Sequence, residues 1–111
     1  PDDKPAHSFG LEFGNVVVRN LIQLSELDVG SANEFTVTRR ITKGDALDAW
    51  FKTTTARNGA VVFYDFEGSP VKRYNLTAAK PKGLAINSVL TGDNRLLTET
   101  FVFTYTKCEL A

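Results

Sequence analysis

Apolar and polar residues alternate along most of this chain with the two-residue period of β-strands, and the alternation is broken by a small set of turn-forming residues. Phe9, Leu11 and Phe13 are spaced by Gly10 and Glu12, and after Gly14-Asn15 the run Val16-Val17-Val18-Arg19 resumes, which is the signature of a β-hairpin. Leu21 to Val29 alternates imperfectly. Glu34 to Thr42 sets Phe35, Val37 and Arg39 against Thr36, Thr38 and Arg40, so both segments are expected as strands.

The period changes once. Thr42-Lys43-Gly44-Asp45 resembles a capping box with Asp in the Glu position, and Ala46, Leu47, Ala49, Trp50 and Phe51 then give an apolar stripe. This predicts a helix over about 43–54, ended by the β-branched run Thr53-Thr54-Thr55. Beyond Asn58-Gly59, a second hairpin is expected from Ala60 to Phe66 and Val71 to Thr77, turning at Glu67-Gly68-Ser69-Pro70. Lys80-Pro81-Lys82-Gly83 and Thr91-Gly92-Asp93-Asn94 read as breaks that isolate a strand from Leu84 to Leu90 and a long terminal strand from Leu96 to Leu110. That last strand puts Leu97, Phe101, Phe103 and Tyr105 on one face and Thr98, Thr100, Val102, Thr104 and Thr106 on the other.

About seven strands and one helix predict a mainly β fold, a small antiparallel barrel or sandwich with the helix packed at one edge. The organisation expected is a flexible arm over residues 1–7 and one β-barrel domain over 8–111, since 111 residues suffice for a single core.

Composition narrows the function. Thirteen basic residues balance thirteen acidic ones, leaving no global field to attract nucleic acid or an anionic membrane. The one cysteine, Cys108, excludes an intrachain disulfide and favours synthesis in a reducing compartment. No apolar run is long enough to span a bilayer, and Pro1-Asp2-Asp3-Lys4 lacks the apolar core of a signal peptide, so a soluble chain that enters no Sec-type route is expected. The opening Pro in a chain without Met suits removal of an initiator Met.

The candidate chemistry is sparse. A nucleophile needs a base, and the single histidine, His7, lies in the arm, so a Cys108–His7 dyad is disfavoured against a plain small residue near a strand end. Asp2, Asp3 and His7 lack the spacing of a structural zinc site. The carboxylate pairs Asp45/Asp48 and Asp65/Glu67 read as helix N-terminal charge and a solvated turn rather than an acid–base pair. No glycine-rich phosphate loop is present, so no cofactor is expected. Arg39-Arg40 and Lys72-Arg73 lie near Tyr64, Phe66 and Tyr74, an interleaving that a single-strand binder could use and that salt-bridged strands explain equally. Asn75-Leu76-Thr77 matches a glycosylation sequon, a pattern of low specificity. What stands out is an excess of two-faced strand: Leu21 to Val29 and the terminal strand carry more apolar and β-branched residues than one small domain buries. Such edges are either blocked or paired with a neighbour, and pairing means self-assembly.

Several segments taken in order resemble the tail-tube proteins of contractile phages and phage-tail-like injection systems, which are related in fold to the haemolysin-coregulated protein of type VI secretion. They are residues 7–13, Glu34 to Thr42 running into Asp45 to Phe51, Ala60 through Pro81, and Leu97 to Glu109. The most specific is the middle one, where a strand, the acidic Gly-Pro turn, the basic-aromatic strand Val71-Lys72-Arg73-Tyr74 and Asn75-Leu76-Thr77 leading to Pro81 follow in the family's order.

The resemblance implies a non-enzymatic subunit that closes hexameric rings by joining strands into a shared inner barrel. The rings stack into a hollow conduit driven by a sheath. It implies partners in other copies of the chain, in sheath and baseplate or spike proteins, and in a possible cargo in the lumen, with no membrane insertion and no specific nucleic-acid binding. It places synthesis in a bacterial cytoplasm and the product in a phage virion or injection-system particle. Inter-subunit residues are expected at Leu21, Leu24, Leu27, Val29, Phe35, Val37, Arg39, Arg40, Val102 and Thr104, and Leu47, Trp50 and Phe51 are expected to dock the helix. A monomeric or ring-forming adaptor of the same fold, such as a tail terminator or baseplate component, is the alternative. The family usually carries a longer excursion where only Gly30-Ser31-Ala32-Asn33 stands here, in the region expected to engage successive rings.

Overall fold

The computed structural model of the chain describes residues 4–91 and 94–111. Strands β1 (Ser8–Phe13), β2 (Val16–Val18), β3 (Leu21–Leu24) and β4 (Asn33–Arg40) precede one short helix, α1 (Ala46–Trp50). Strands β5 (Arg57–Tyr64), β6 (Pro70–Thr91), β7 (Asn94–Tyr105) and β8 (Lys107–Leu110) follow. All pairing is antiparallel, in the order β2-β1-β5-β6-β7-β4-β3, with β8 beside β6. The sheet is open: its path ends at β2 and β3 and does not close into a barrel within the chain.

The long strand β6 belongs to both halves of the fold. Its first part pairs with β5 and β8, and its second, from Lys80, pairs with β7. The change of direction falls at Ala78, which adopts φ 53, an uncommon conformation for a residue with a Cβ. It is held from both sides. Asn58 Oδ1 accepts from the Ala78 N–H at 2.8 Å, and Thr106, the single residue between β7 and β8, donates from its N–H and hydroxyl to Thr77 O.

The two halves close over one aromatic core. Leu11, Phe13 and Val61 come from one half and Phe35, Val37, Phe101, Phe103 and Tyr105 from the other. Phe35 stacks on Phe103 with centroids 4.7 Å apart, and Phe13 lies over the same ring. Leu47 and Trp50 are buried, and Phe51 meets Phe101 and Phe103 edge-on at 4.9 and 5.0 Å.

The first hairpin forms in the expected register, Phe13 opposite Val16, with Gly14 at φ 64 in the turn. Elsewhere the local signals are displaced. The cap is Asp45, not Thr42: Asp45 accepts from the N–H groups of Leu47 and Asp48, and the Asp48 side chain accepts from Asp45 N–H, so the capping box sits three residues later and the helix is shorter. The terminal strand is cut at Thr106, where the chain passes from one half of the sheet to the other, and this raises the strand number to eight. Asn58-Gly59 is part of β5, which starts before the expected Ala60, and the glycine lets Glu12 O and the Phe13 ring approach its Cα. Lys80-Pro81-Lys82-Gly83 is not a break. β6 runs through it with a register shift, because β6 has a neighbour on only one side there and tolerates proline and glycine. Leu21 to Val29 is a strand only as far as Leu24, after a register shift between Leu21 and Gln23. Gly92 and Asp93 of the last expected turn, and Pro1 to Asp3 of the arm, lie outside the described residues.

Candidate assembly surface

One half of the sheet consists of β3, β4, β7 and the second part of β6, and it is bordered by two edges whose ladders run on one side only. One is β3. The other is Lys80–Thr91 of β6, which pairs with β7 throughout and with no other strand among the described residues. Unpaired strand edges of this length are templates for another strand.

The β6 edge is also apolar on the wrong side for an isolated chain. Leu84 pairs with Phe101 and Ile86 with Glu99, so both point to the face that forms the core. Nothing among the described residues covers them: Leu84 is 48 % exposed, Ile86 62 % and Leu97, on the adjacent strand, 50 %. Ile41, whose N–H donates to Leu97 O, extends the same exposed stretch. Leu97 shares the face of Phe101, as the alternation predicts. The alternation holds, but the strand has outrun the layer that would cover it.

Beside this patch lies the charged centre of the fold. The Arg39 guanidinium is completely buried and donates from Nε to Glu99 Oε2 at 2.8 Å. Its terminal nitrogens donate to both Asp45 oxygens at 2.7 and 3.0 Å and to Asp48 Oδ2 at 3.2 Å. The arrangement joins β4, β7 and the helix cap through one side chain. A fork of planar donors met by carboxylates is the geometry in which a buried cation is tolerated. The hydrogen bonds from Arg39 hold the Asp45 carboxyl at about 2, below its ordinary 3.8, against the opposing effect of burial. Burial alone would lower the Arg39 pKa, but the hydrogen bonds to Asp45 and Glu99 leave it above the ordinary value.

The residues singled out from sequence are therefore distributed unevenly. Phe35, Val37 and Arg39 direct their side chains into the chain's own core, and Leu21, Leu24 and Leu27 pack partly against it. Val29 and Arg40 are exposed, while Val102 and Thr104 lie half-buried on the opposite face of the sheet from Phe101 and Phe103. Asp45 and Asp48 are not merely solvated helix charge, since they share Arg39. Leu84, Ile86, Ile41 and Leu97 were not identified as surface from the pattern, because their exposure depends on how far the strands extend past the core.

The remaining chemistry is structural. His7 lies edge-on to Phe66 at 4.9 Å, and its N–H donates to Tyr64 O, while Lys4 pairs with Glu67. Residues 4–7 thus run along the β5–β6 turn. Cys108 is buried on β8 opposite Leu76, and burial pushes its thiol pKa up, away from a reactive thiolate. Asp65 Oδ1 accepts from the N–H groups of Glu67 and Ser69 and shapes their turn. Arg73 pairs with Glu12, Arg19 stacks on Tyr64 at 3.6 Å, and Lys72 lies 5.8 Å from the Tyr74 ring, so the basic and aromatic residues engage one another. Asp2 and Asp3 lie outside the described residues. Among those described, no group of three or more His, Cys, Asp or Glu could hold a metal ion, and no helix is long and apolar enough to cross a membrane.

No family model matches the chain. No curated protein matches it either. Solved structures do. A chain of the cryo-EM structure of the anti-feeding prophage cap, the AFP tube terminating cap, superposes with a TM-score of 0.79 at 14 % identity, covering 100 % of this chain and 92 % of that one. A chain of the sheath-tube complex of an extracellular contractile injection system, PVC, in its extended state gives 0.78 at 12 % identity, with 97 % and 90 % covered. Hcp1 from Flavobacterium johnsoniae gives 0.70 at 17 % identity, with 95 % of each chain covered. With its open eight-stranded antiparallel sheet and single capping helix, the chain has the tail-tube and Hcp-like fold.

Proposed function

We propose that the chain is a non-enzymatic structural subunit of the inner tube of a contractile injection system or phage tail. In this reading the open edge at Lys80–Thr91 of one copy pairs with the β3 edge of the next. Cyclic repetition closes a hexameric ring in which the β3-β4-β7-β6 half-sheets form a continuous inner barrel, as a heterologous contact requires. Rings stack into a conduit within a sheathed particle assembled in the bacterial cytoplasm. The observation that carries this reading is the β6 edge with Leu84, Ile86 and Leu97 exposed on its core-side face, where a neighbouring copy would cover them. Contacts at Val29, Arg40, Val102 and Thr104 belong to the same proposal.

A second reading, a terminating or adaptor ring that does not stack, is favoured by one feature: the short connection Gly30-Ser31-Ala32 before β4, held by the bridge of Gly30 to Cys108. Negative-stain electron microscopy with mass by light scattering tests both. Stacked tubes support the tube, isolated rings support the terminator, and a chain that stays monomeric across concentration and salt overturns both.

A further inference from the structure

The face of the β3-β4-β7-β6 half-sheet that points away from the core has a chemistry different from the rest of the molecule. Strand alternation and register put Thr36, Thr38, Thr98, Thr100, Val102 and Thr104 there, with Ala85 and Asn87 from β6. The hydroxyls of Thr38 and Thr100 meet at 3.0 Å, and Asn87 reaches the same Thr100 oxygen.

The charges on this face do not balance, although those of the chain do. Lys80 and Glu34 both pair with Thr104, Lys82 reaches Glu34 at 2.5 Å, and Arg40 pairs with Thr98. Among the described side chains, three cations thus stand against one carboxylate. Glu26, in the irregular segment after β3, is assigned to a face by no ladder pair. One unbalanced positive charge lies at each end of the face, separated by the span from Thr98 to Thr104, about 20 Å at ~3.4 Å per residue. Between them the described side chains are uncharged.

We infer that this face receives an acidic polypeptide, and, resting on the tube reading, that it is the wall of the conduit, so that cargo carrying clustered Asp and Glu is the class it favours. Charge complementarity with Arg40 and Lys80 supplies the attraction. The threonine hydroxyls and the Asn87 amide supply weak, unspecific hydrogen bonds that suit a moving chain. A single-stranded nucleic acid is less well served, because the aromatic rings of these strands, Phe35, Phe101, Phe103 and Tyr105, all lie on the opposite face and leave bases nothing to stack on.

The test uses poly-L-glutamate, poly-L-lysine and oligothymidylate of matched length, with binding read by fluorescence anisotropy on the full chain and its assembly state read in parallel by light scattering. Poly-L-glutamate should bind, poly-L-lysine should not, and binding should weaken as salt rises. The double variant Arg40→Gln, Lys80→Gln alters two exposed side chains and should keep the parent melting temperature. Its affinity for poly-L-glutamate should fall roughly three- to ten-fold per chain. Absence of poly-L-glutamate binding, a preference for poly-L-lysine, or an unchanged double variant overturns the inference. Oligothymidylate binding as tightly as poly-L-glutamate overturns its polypeptide part. A chain that forms no rings defeats the conduit reading, and poly-L-glutamate binding to the monomer then still upholds or overturns the preference of the face.

Discussion

Arg39 on β4 and Glu99 on β7 are register partners in the sheet and are joined by a 2.8 Å hydrogen bond from Arg39 Nε on its core-facing side. Because both are buried, removing one leaves the other without its counter-charge. The variant Arg39→Met is therefore expected to lose about 3–5 kcal/mol of stability, since Glu99, Asp45 and Asp48 are left facing one another. Urea unfolding checks this, and a loss below about 1 kcal/mol would mean that the cluster relaxes into water.

The depressed Asp45 carboxyl gives a pH dependence of fixed sign. Its folded value of about 2 lies below the ordinary 3.8, so its contribution is complete above about pH 4 and is lost as pH falls toward 2. Asp45 is 40 % exposed, and after allowance for solvent screening the contribution is about 1 kcal/mol. In Asp45→Asn, which keeps a capping side chain, stability should fall less steeply between pH 4 and pH 2 than in the parent. Parallel curves for the two proteins would refute the assignment.

Trp50 packs against Phe13 and Phe103 and donates from Nε1 to Thr55 O at 2.8 Å. Trp50→Ala should cost about 3–5 kcal/mol through the cavity it leaves, and calorimetric melting would reveal it.

Two glycines in strands should respond differently to alanine. At Gly59 an added Cβ would lie 2.1 Å from Glu12 O, so the β1–β5 ladder must shift, at about 1–3 kcal/mol. At Gly83 nothing lies within 4 Å, and the change should stay within ~0.5 kcal/mol. Equal effects at the two sites would contradict the close approach at Gly59.

Ile86→Lys places a charge on the uncovered β6 edge without touching the core of its own chain. The melting temperature should move by no more than about 2 °C, while on the tube reading assembly measured by light scattering should be lost. Normal assembly by this variant would remove the β6 edge from the interface.

How much of this could be read in the sequence varies by element. The first hairpin was legible because Gly14-Asn15 and its flanking apolar residues act locally. The helix was legible as a stripe, but its start was not, since Thr42 and Asp45 are both competent caps and only Asp45 also meets Arg39. The strand through Pro81 and Gly83 was misread as a break, because propensity cannot tell a central strand from an edge, and an edge accepts both residues. The exposed patch at Leu84, Ile86 and Leu97 was hidden for a related reason. Alternation gives the face of a residue, whereas its burial depends on which layer lies above it. Arg39 was seen as a strand position, but no signal in the chain linked it to carboxylates on β7 and the helix.

The way β6 is shared also shapes how the chain reaches its fold. The β6–β7 hairpin joins neighbours in sequence and can form early. The β4–β7 ladder, by contrast, must bring Asn33 to Tyr105, and the β1–β5 ladder must bring Ser8 to Tyr64. Topologies dominated by such distant pairings fold slowly. During that time the newly made chain displays a long, apolar hairpin edge before either its own remaining strands or another copy has arrived. The same open edge that the tube reading uses for ordered pairing therefore leaves the nascent chain prone to disordered pairing, and on that reading the rate of synthesis relative to the supply of folded copies decides between the two.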